Sequence, residues 1–205
     1  MKFVLFVEGD TESKVLPQFL KKWLDPRLPQ PVTIEPVRFG GWSELVKDAA
    51  DRARKHLDGP KKHEIIAVIA LLDLHGPTFS YPKSVASYQD RYAWAKNHME
   101  DKLKHPKFFQ FFAVHELEAW LLSDPALFPT EIKKALEKIK SPETVNFDEP
   151  PAKLLDRLYR HKYKKVTHGK ELFGKLKPDL AYQKCHYLKA MLDKMLELAQ
   201  TAVQP

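Results

Sequence analysis

Five carboxylates and two histidines lie where apolar runs give way to polar residues: Glu8 and Glu12, Asp73 and His75, then His115, Glu116 and Glu118. Clustered carboxylates repel one another and stay ionised together only around a cation, and all-oxygen donors favour Mg²⁺ or Mn²⁺. A cation held this way can bridge phosphate oxygens and orient an attacking water, which is metal-assisted phosphodiester chemistry. The plainer alternative is that Glu8 closes a strand and Asp10-Thr11-Glu12 cap a helix. His75 and His115 could each be a metal ligand or a general base, or a hydrogen-bonding structural residue. His115-Glu116 is not a zinc-protease motif, because position 119 is Ala where a second histidine is needed. Each step along a helix turns about 100°, so Glu116 and Glu118 do not face one site together, and spacing leaves open which one would reach a metal.

These residues need elements to bring them together. Lys2 to Val7 is a short, β-rich apolar run of the kind that forms a buried parallel strand, with Gly9 permitting a turn after Glu8 and Thr11 able to cap a helix. Apolar spacing predicts helices over residues 11–24 and 43–57. Between them, residues 32–39 alternate as a half-exposed strand that Pro36 confines to an edge. Residues 64–72 form the most apolar run of the chain, a central strand buried on both faces, and it ends at Asp73. A loop at 77–82, a helix at 84–104 and a strand at 107–114 follow, the last running into His115. Three strands that each deliver polar residues, alternating with helices, imply an α/β fold with a mainly parallel sheet of about four strands. Its carboxyl edge, where such folds bind ligands, would gather all three polar ends.

From residue 125 the pattern becomes helical, with segments expected near 130–139, 151–161, 170–176 and 179–200. The boundaries expected are an α/β metal-binding domain over 1–124 and a helical region over 125–205 packed on it. Charge divides the same way. Residues 150–205 hold twelve Lys/Arg against five Asp/Glu, whereas residues 1–149 hold twenty-two of each. The net charge of +7 is therefore wholly C-terminal and suits an anionic partner such as DNA or RNA. The stretch from His161 to Lys170 mixes rings with Lys162, Lys164, Lys165 and Lys170, and is the best candidate for phosphate contacts and base stacking. A solvated lysine-rich loop is the alternative.

Composition narrows the class. No apolar run approaches the roughly 20 residues that span a bilayer, so no membrane association is expected. The N-terminal run lacks a small-residue cleavage site and does not read as a signal peptide, which places the protein in the cytoplasm. The single cysteine, Cys185, excludes an intramolecular disulfide framework and a Cys-rich zinc site. It reads as a packed core residue, as do most of the four tryptophans.

The residues from Val7 to Glu12, with the later strand ending in an acidic cluster, resemble a Toprim domain. That metal-binding fold is shared by topoisomerases, primases and overcoming-lysogenization-defect nucleases. More specifically, the stretch from Leu72 to Pro77, the segment His115 to Asp124 and Lys184-Cys185-His186-Tyr187 resemble a bacterial Toprim-like family filed as domain of unknown function 4276. The resemblance spans most of the chain. It implies divalent metal on the glutamate after the first strand and on an Asp-x-Asp after a later one. Glu8 and Asp73 match, Glu12 matches an extra glutamate of the lysogenization-defect branch, and His75 stands where the second aspartate belongs. That departure implies one metal, Mn²⁺, or a ligand from Glu116 or Glu118. The implied function is a metal-dependent nuclease, in phage defence. The alternative is a non-catalytic module that binds nucleic acid or a partner such as an ATPase. Oligomeric state is not readable from the sequence.

Overall fold

Four parallel strands carry the fold: β1 (Lys2–Val7), β2 (Thr33–Arg38), β3 (Ile65–Asp73) and β4 (Phe108–Ala113), in the order β2-β1-β3-β4. The computed structural model describes residues 1–76, 78–144 and 149–203. Pro77, the first residue of the expected loop, lies outside them. The all-parallel α/β sheet with a helical C-terminal part is the fold the sequence implies.

Alternation along the strands builds two cores. Phe3, Leu5 and Val7 of β1 and Ala67, Ile69 and Leu71 of β3 face one side, packed on α1 (Asp10–Leu24). Val4, Phe6, Val68, Ala70 and Leu72 face the other, covered by α2 (Trp42–Leu57) and α3 (Tyr88–Asp101). Both central strands are thus buried on both faces, which is why they read as continuous apolar runs. β2 lies at the edge, where Pro36 removes a backbone donor at no cost to the sheet. Helix α1 runs through Pro17, its eighth residue, held by six buried apolar side chains on the sheet.

The C-terminal helices complete the first core. After α4 (Glu118–Leu121) come α5 (Thr130–Leu136), α6 (Pro151–Leu158), α7 (Lys170–Lys175), α8 (Pro178–Lys184) and α9 (His186–Val203). Leu188, Met191, Leu192, Met195 and Ala199 bury one stripe of α9 in the same cluster as β1 and α1. The helix expected over 179–200 is interrupted at Cys185, which is extended (φ −111°, ψ 100°) and buried. The cause is a carboxylate: Glu143 Oε2 accepts from Tyr187 N at 2.8 Å and Oε1 from Leu188 N at 3.2 Å, capping a new helix.

Candidate metal and phosphate site

Because all four strands run the same way, their carboxyl ends share one edge, and the side chains there come from three of them. Glu8 follows β1 directly. Its Oε1 accepts from Asp73 N at 3.0 Å, so the first carboxylate is tied to the end of the neighbouring strand. Gly9 makes room at the turn: a Cβ there would stand 2.9 Å from Glu12 Oε2, so the Glu12 carboxylate folds back over the turn. Glu8 and Glu12 line one hollow of about 370 Å³ with Asp10, Arg38 and Gly40-Gly41. Gly41 has φ +118°, a left-handed conformation that favours glycine, and its N–H donates to Glu8 O at 3.1 Å.

Asp73 ends β3, and its two oxygens look in different directions. Oδ1 accepts from Leu117 N at 2.9 Å. Oδ2 lies 3.4 Å from Lys165 Nζ. The chain reaches Leu117 through His115, whose φ of 67° is left-handed, a strained choice for a non-glycine residue. That turn swings Glu118, the first residue of α4, underneath Lys165. Glu118 is 2% exposed and its Oε2 lies 3.1 Å from Lys165 Nζ, an ion pair without hydrogen-bond alignment. Glu116 goes elsewhere: its Oε2 accepts from Ala152 N at 2.9 Å in the first turn of α6.

Electrostatics follow from this packing. Burial pushes the Asp73 and Glu118 carboxyls up, opposed by the Lys165 ammonium and reinforced by neighbouring carboxylates. Glu8 is also raised, chiefly by burial, against the Asp73 N–H that favours its ionised form. For Lys165, burial alone would lower its pKa, but the charges of Asp73, Glu118 and Glu116 outweigh it and the ammonium is held firmly protonated. The lysine stands among the carboxylates as an internal counterion.

The predicted residues therefore separate. Glu8, Asp73, Glu118 and, across the Gly9 turn, Glu12 gather at the edge, while Glu116 caps α6. His115 is buried, and burial, then the nearby His75, lower its pKa. His75 is exposed, its backbone N–H donating to His115 O at 3.1 Å. Of the four lysines expected on a nucleic-acid surface, Lys162, Lys164 and Lys170 are exposed, whereas Lys165 turns inward. Among the described residues no three Asp, Glu, His or Cys groups form a ready-made ion cage. The donors nonetheless fit a hard divalent cation: they are all carboxylate oxygens, and Lys165 offsets only one of their charges.

Three features escape sequence reasoning. Lys165 looks like one more lysine in a basic run. It lies on a five-residue π-helical turn (Lys165–Gly169), a local widening often found at functional sites, and no residue pattern announces that turn. Tyr163 carries a buried hydroxyl with no hydrogen-bond partner among the described residues, beside Gly169, whose Cβ would stand 3.3 Å away. Glu143 is 2% exposed, and burial raises its carboxyl to about 7 despite the backbone N–H groups of Tyr187 and Leu188.

Glu143 makes a stability prediction. Its folded pKa of about 7 lies above the ordinary 4.5, so the stabilisation is full below pH 4.5 and is lost as pH rises through 7. The loss amounts to about 3 kcal/mol. Urea unfolding of wild type and Glu143→Gln at pH 5 and pH 8 is expected to show the variant gaining about 2.5 kcal/mol relative to wild type at the higher pH, because the loss has already begun at pH 5. An equal gap at both pH values would refute the assignment.

A family whose model matches residues 7–196 covers every carboxylate of this edge and Lys165; it is described as Domain of unknown function (DUF4276). The chain belongs to that family. This DUF4276 chain is also similar to the C-terminal region of the Burkholderia pseudomallei OLD protein, at 17% identity and a TM-score of 0.49, over 97% of this chain and 98% of that one. The C-terminal region of the Xanthomonas campestris pv. campestris OLD protein is similar over 96% of this chain and 95% of its own, at 16% identity and a TM-score of 0.44. A search of curated proteins found no match. No helix among the described residues is long and apolar enough to cross a membrane.

Proposed function

We propose that the protein is a divalent-metal-dependent nuclease that hydrolyses phosphodiester bonds in DNA or RNA. The observation that carries this reading is that Lys165 Nζ meets both the Asp73 and Glu118 carboxylates, while the Asp73 N–H holds Glu8 at the same edge. Glu8, Asp73 and Glu118 hold Mg²⁺ or Mn²⁺, with Glu12 within reach of Glu8. Bound there, the cation supplies Lewis-acid polarisation of a phosphate oxygen.

The chain's own groups do the rest. The Asp73 N–H fixes the Glu8 carboxylate, and the Leu117 N–H fixes Asp73, so both enter the reaction preorganised. The Lys165 ammonium, held at the same edge by Asp73 and Glu118, would stabilise the negative charge that builds on a phosphate there. His75, exposed at the rim, is placed to exchange protons with solvent. His115 positions it through the backbone bond. Lys162, Lys164 and Lys170 hold the polyanion. On this reading residues 1–124 are the catalytic domain and 125–205 supply Lys165 and the basic surface, in a cytoplasmic protein of phage defence.

One observation favours a second reading. Lys165 already offsets one of the charges on Asp73 and Glu118, so part of the edge is balanced without metal, as it would be in a non-catalytic module binding nucleic acid or a partner. Incubation with labelled single- and double-stranded DNA and RNA decides between them. Cleavage with Mg²⁺ or Mn²⁺ and none with EDTA is the expected result. Intact substrates under all conditions would leave the second reading standing.

A further inference from the structure

The turn that sends Lys165 into the acidic edge presents another side chain to a separate pocket. A cavity of about 350 Å³ opens between Phe128, Tyr159, His168, Leu172 and the charged pair Glu171 and Lys175. Phe128 and Leu172 form a buried apolar floor, while Tyr159 and His168 are half-buried walls. Its mixture of aromatic lining and a few polar groups is the usual make-up of a small-molecule site.

The rings are ordered. Tyr163 stacks on His168 with centroids 5.8 Å apart and planes 20° apart, and His168 lies 5.4 Å from Tyr159. Tyr163 is the ring whose hydroxyl is buried next to Glu118 and Lys165. The Tyr159 and Tyr163 ring centroids are 5.7 Å apart, so the three rings form one cluster that reaches from the acidic edge to the pocket. His168 Nδ1 accepts from Lys164 N at 2.9 Å, which leaves the ring proton on Nε2 as a donor, and Glu171 offers an acceptor at the rim. Val166 on the same turn is 67% exposed, an apolar side chain held out to solvent. Exposed Lys164 and Lys170 flank the turn.

We propose that this pocket receives one unpaired nucleobase of the substrate strand, stacked on Tyr159 and His168, while the flanking lysines hold its phosphates. Every base has a π-face, so the stack tolerates sequence. A base in a duplex is already stacked and cannot enter, so the protein prefers single-stranded or unpaired segments. The inference deepens the nuclease reading and rests on it for the identity of the strand.

The test uses the full chain in EDTA and a single-stranded DNA oligonucleotide carrying 2-aminopurine at successive positions. Binding is expected to quench the fluorophore at one or two positions. The matching duplex is expected to bind about tenfold more weakly, and Tyr159→Leu to weaken single-strand binding about tenfold while relieving the quench. Wild type that binds the strand without quenching at any position overturns the proposal, whatever Tyr159→Leu does to folding. So does quenching of free 2-aminopurine nucleoside monophosphate with none in the strand, which would make the pocket a small-nucleotide site. Cleavage with Mn²⁺ but no quench would sink the pocket alone. Quench without cleavage would sink the nuclease reading and keep the pocket.

Discussion

Asp73→Asn is expected to slow Mn²⁺-supported cleavage about a thousandfold and to shift the melting temperature by no more than about 2 °C. The substitution is isosteric, so an asparagine Oδ1 still accepts from Leu117 N, and the backbone N–H of residue 73 still holds Glu8 Oε1. What disappears is one negative charge at the centre of the cluster. Losing it gives up the 3.4 Å contact with Lys165, which is offset by relieved repulsion with Glu118 and Glu8 and by the closer Lys165–Glu118 pair, so the folded state changes little. Glu8→Gln is expected to behave the same way, since a glutamine Oε1 can keep the bond from Asp73 N. Kinetics on labelled substrate, alongside thermal melts, check both. Full activity in Asp73→Asn would remove this carboxylate from the chemistry.

The second large effect is on Lys165. Lys165→Met keeps an unbranched apolar stem and deletes the ammonium, leaving Asp73 and the 2%-exposed Glu118 facing one another without a counterion. Removing one partner of a buried pair costs several kcal/mol, and the 38% exposure of the Lys165 side chain reduces this to about 2 kcal/mol. The melting temperature is expected to fall by about 5 °C without metal. Mn²⁺ is expected to restore it, because ammonium and divalent cation compete for the same oxygens and the variant binds metal more tightly than wild type. The same variant is expected to lose cleavage, since the charge that faces the phosphate is gone. Tighter metal binding combined with lost activity is a pairing that a purely structural lysine would not produce. Unchanged melting and an unchanged Mn²⁺ response would show that Lys165 is not the internal counterion.

The strands that place the site were legible because burial on both faces leaves a compositional mark. The runs ending at Val7, Asp73 and Ala113 have no other economical reading, and parallel packing then puts their ends together. Pro36 likewise marks β2 as the edge strand. The long helix expected near the C-terminus was only partly legible. Periodicity continues through Cys185, but the break there is imposed by Glu143 from 42 positions away in the chain, a tertiary contact that no local spacing encodes.

The same limit governs the acidic edge. The Glu116-Leu117-Glu118 spacing allowed one carboxylate into the site without saying which. The choice was made by the left-handed turn at His115 and by the first turn of α6, which takes Glu116 for its own orphan Ala152 N–H. The inward turn of Lys165 was hidden for a related reason. Charge composition reports how many lysines a segment has and is blind to one of them turning inward on a π-helical turn. His75 lies two residues beyond the end of β3 and is exposed, which leaves Glu118 as the third inward carboxylate.

Crystals grown with Mn²⁺ and measured at the manganese absorption edge test the central claim most directly. One anomalous peak bounded by carboxylate oxygens of Glu8, Asp73 and Glu118 is expected, with Lys165 Nζ withdrawn from its 3.1 Å and 3.4 Å contacts. No anomalous peak among these carboxylates at millimolar Mn²⁺, with Lys165 still bridging Asp73 and Glu118, would contradict it.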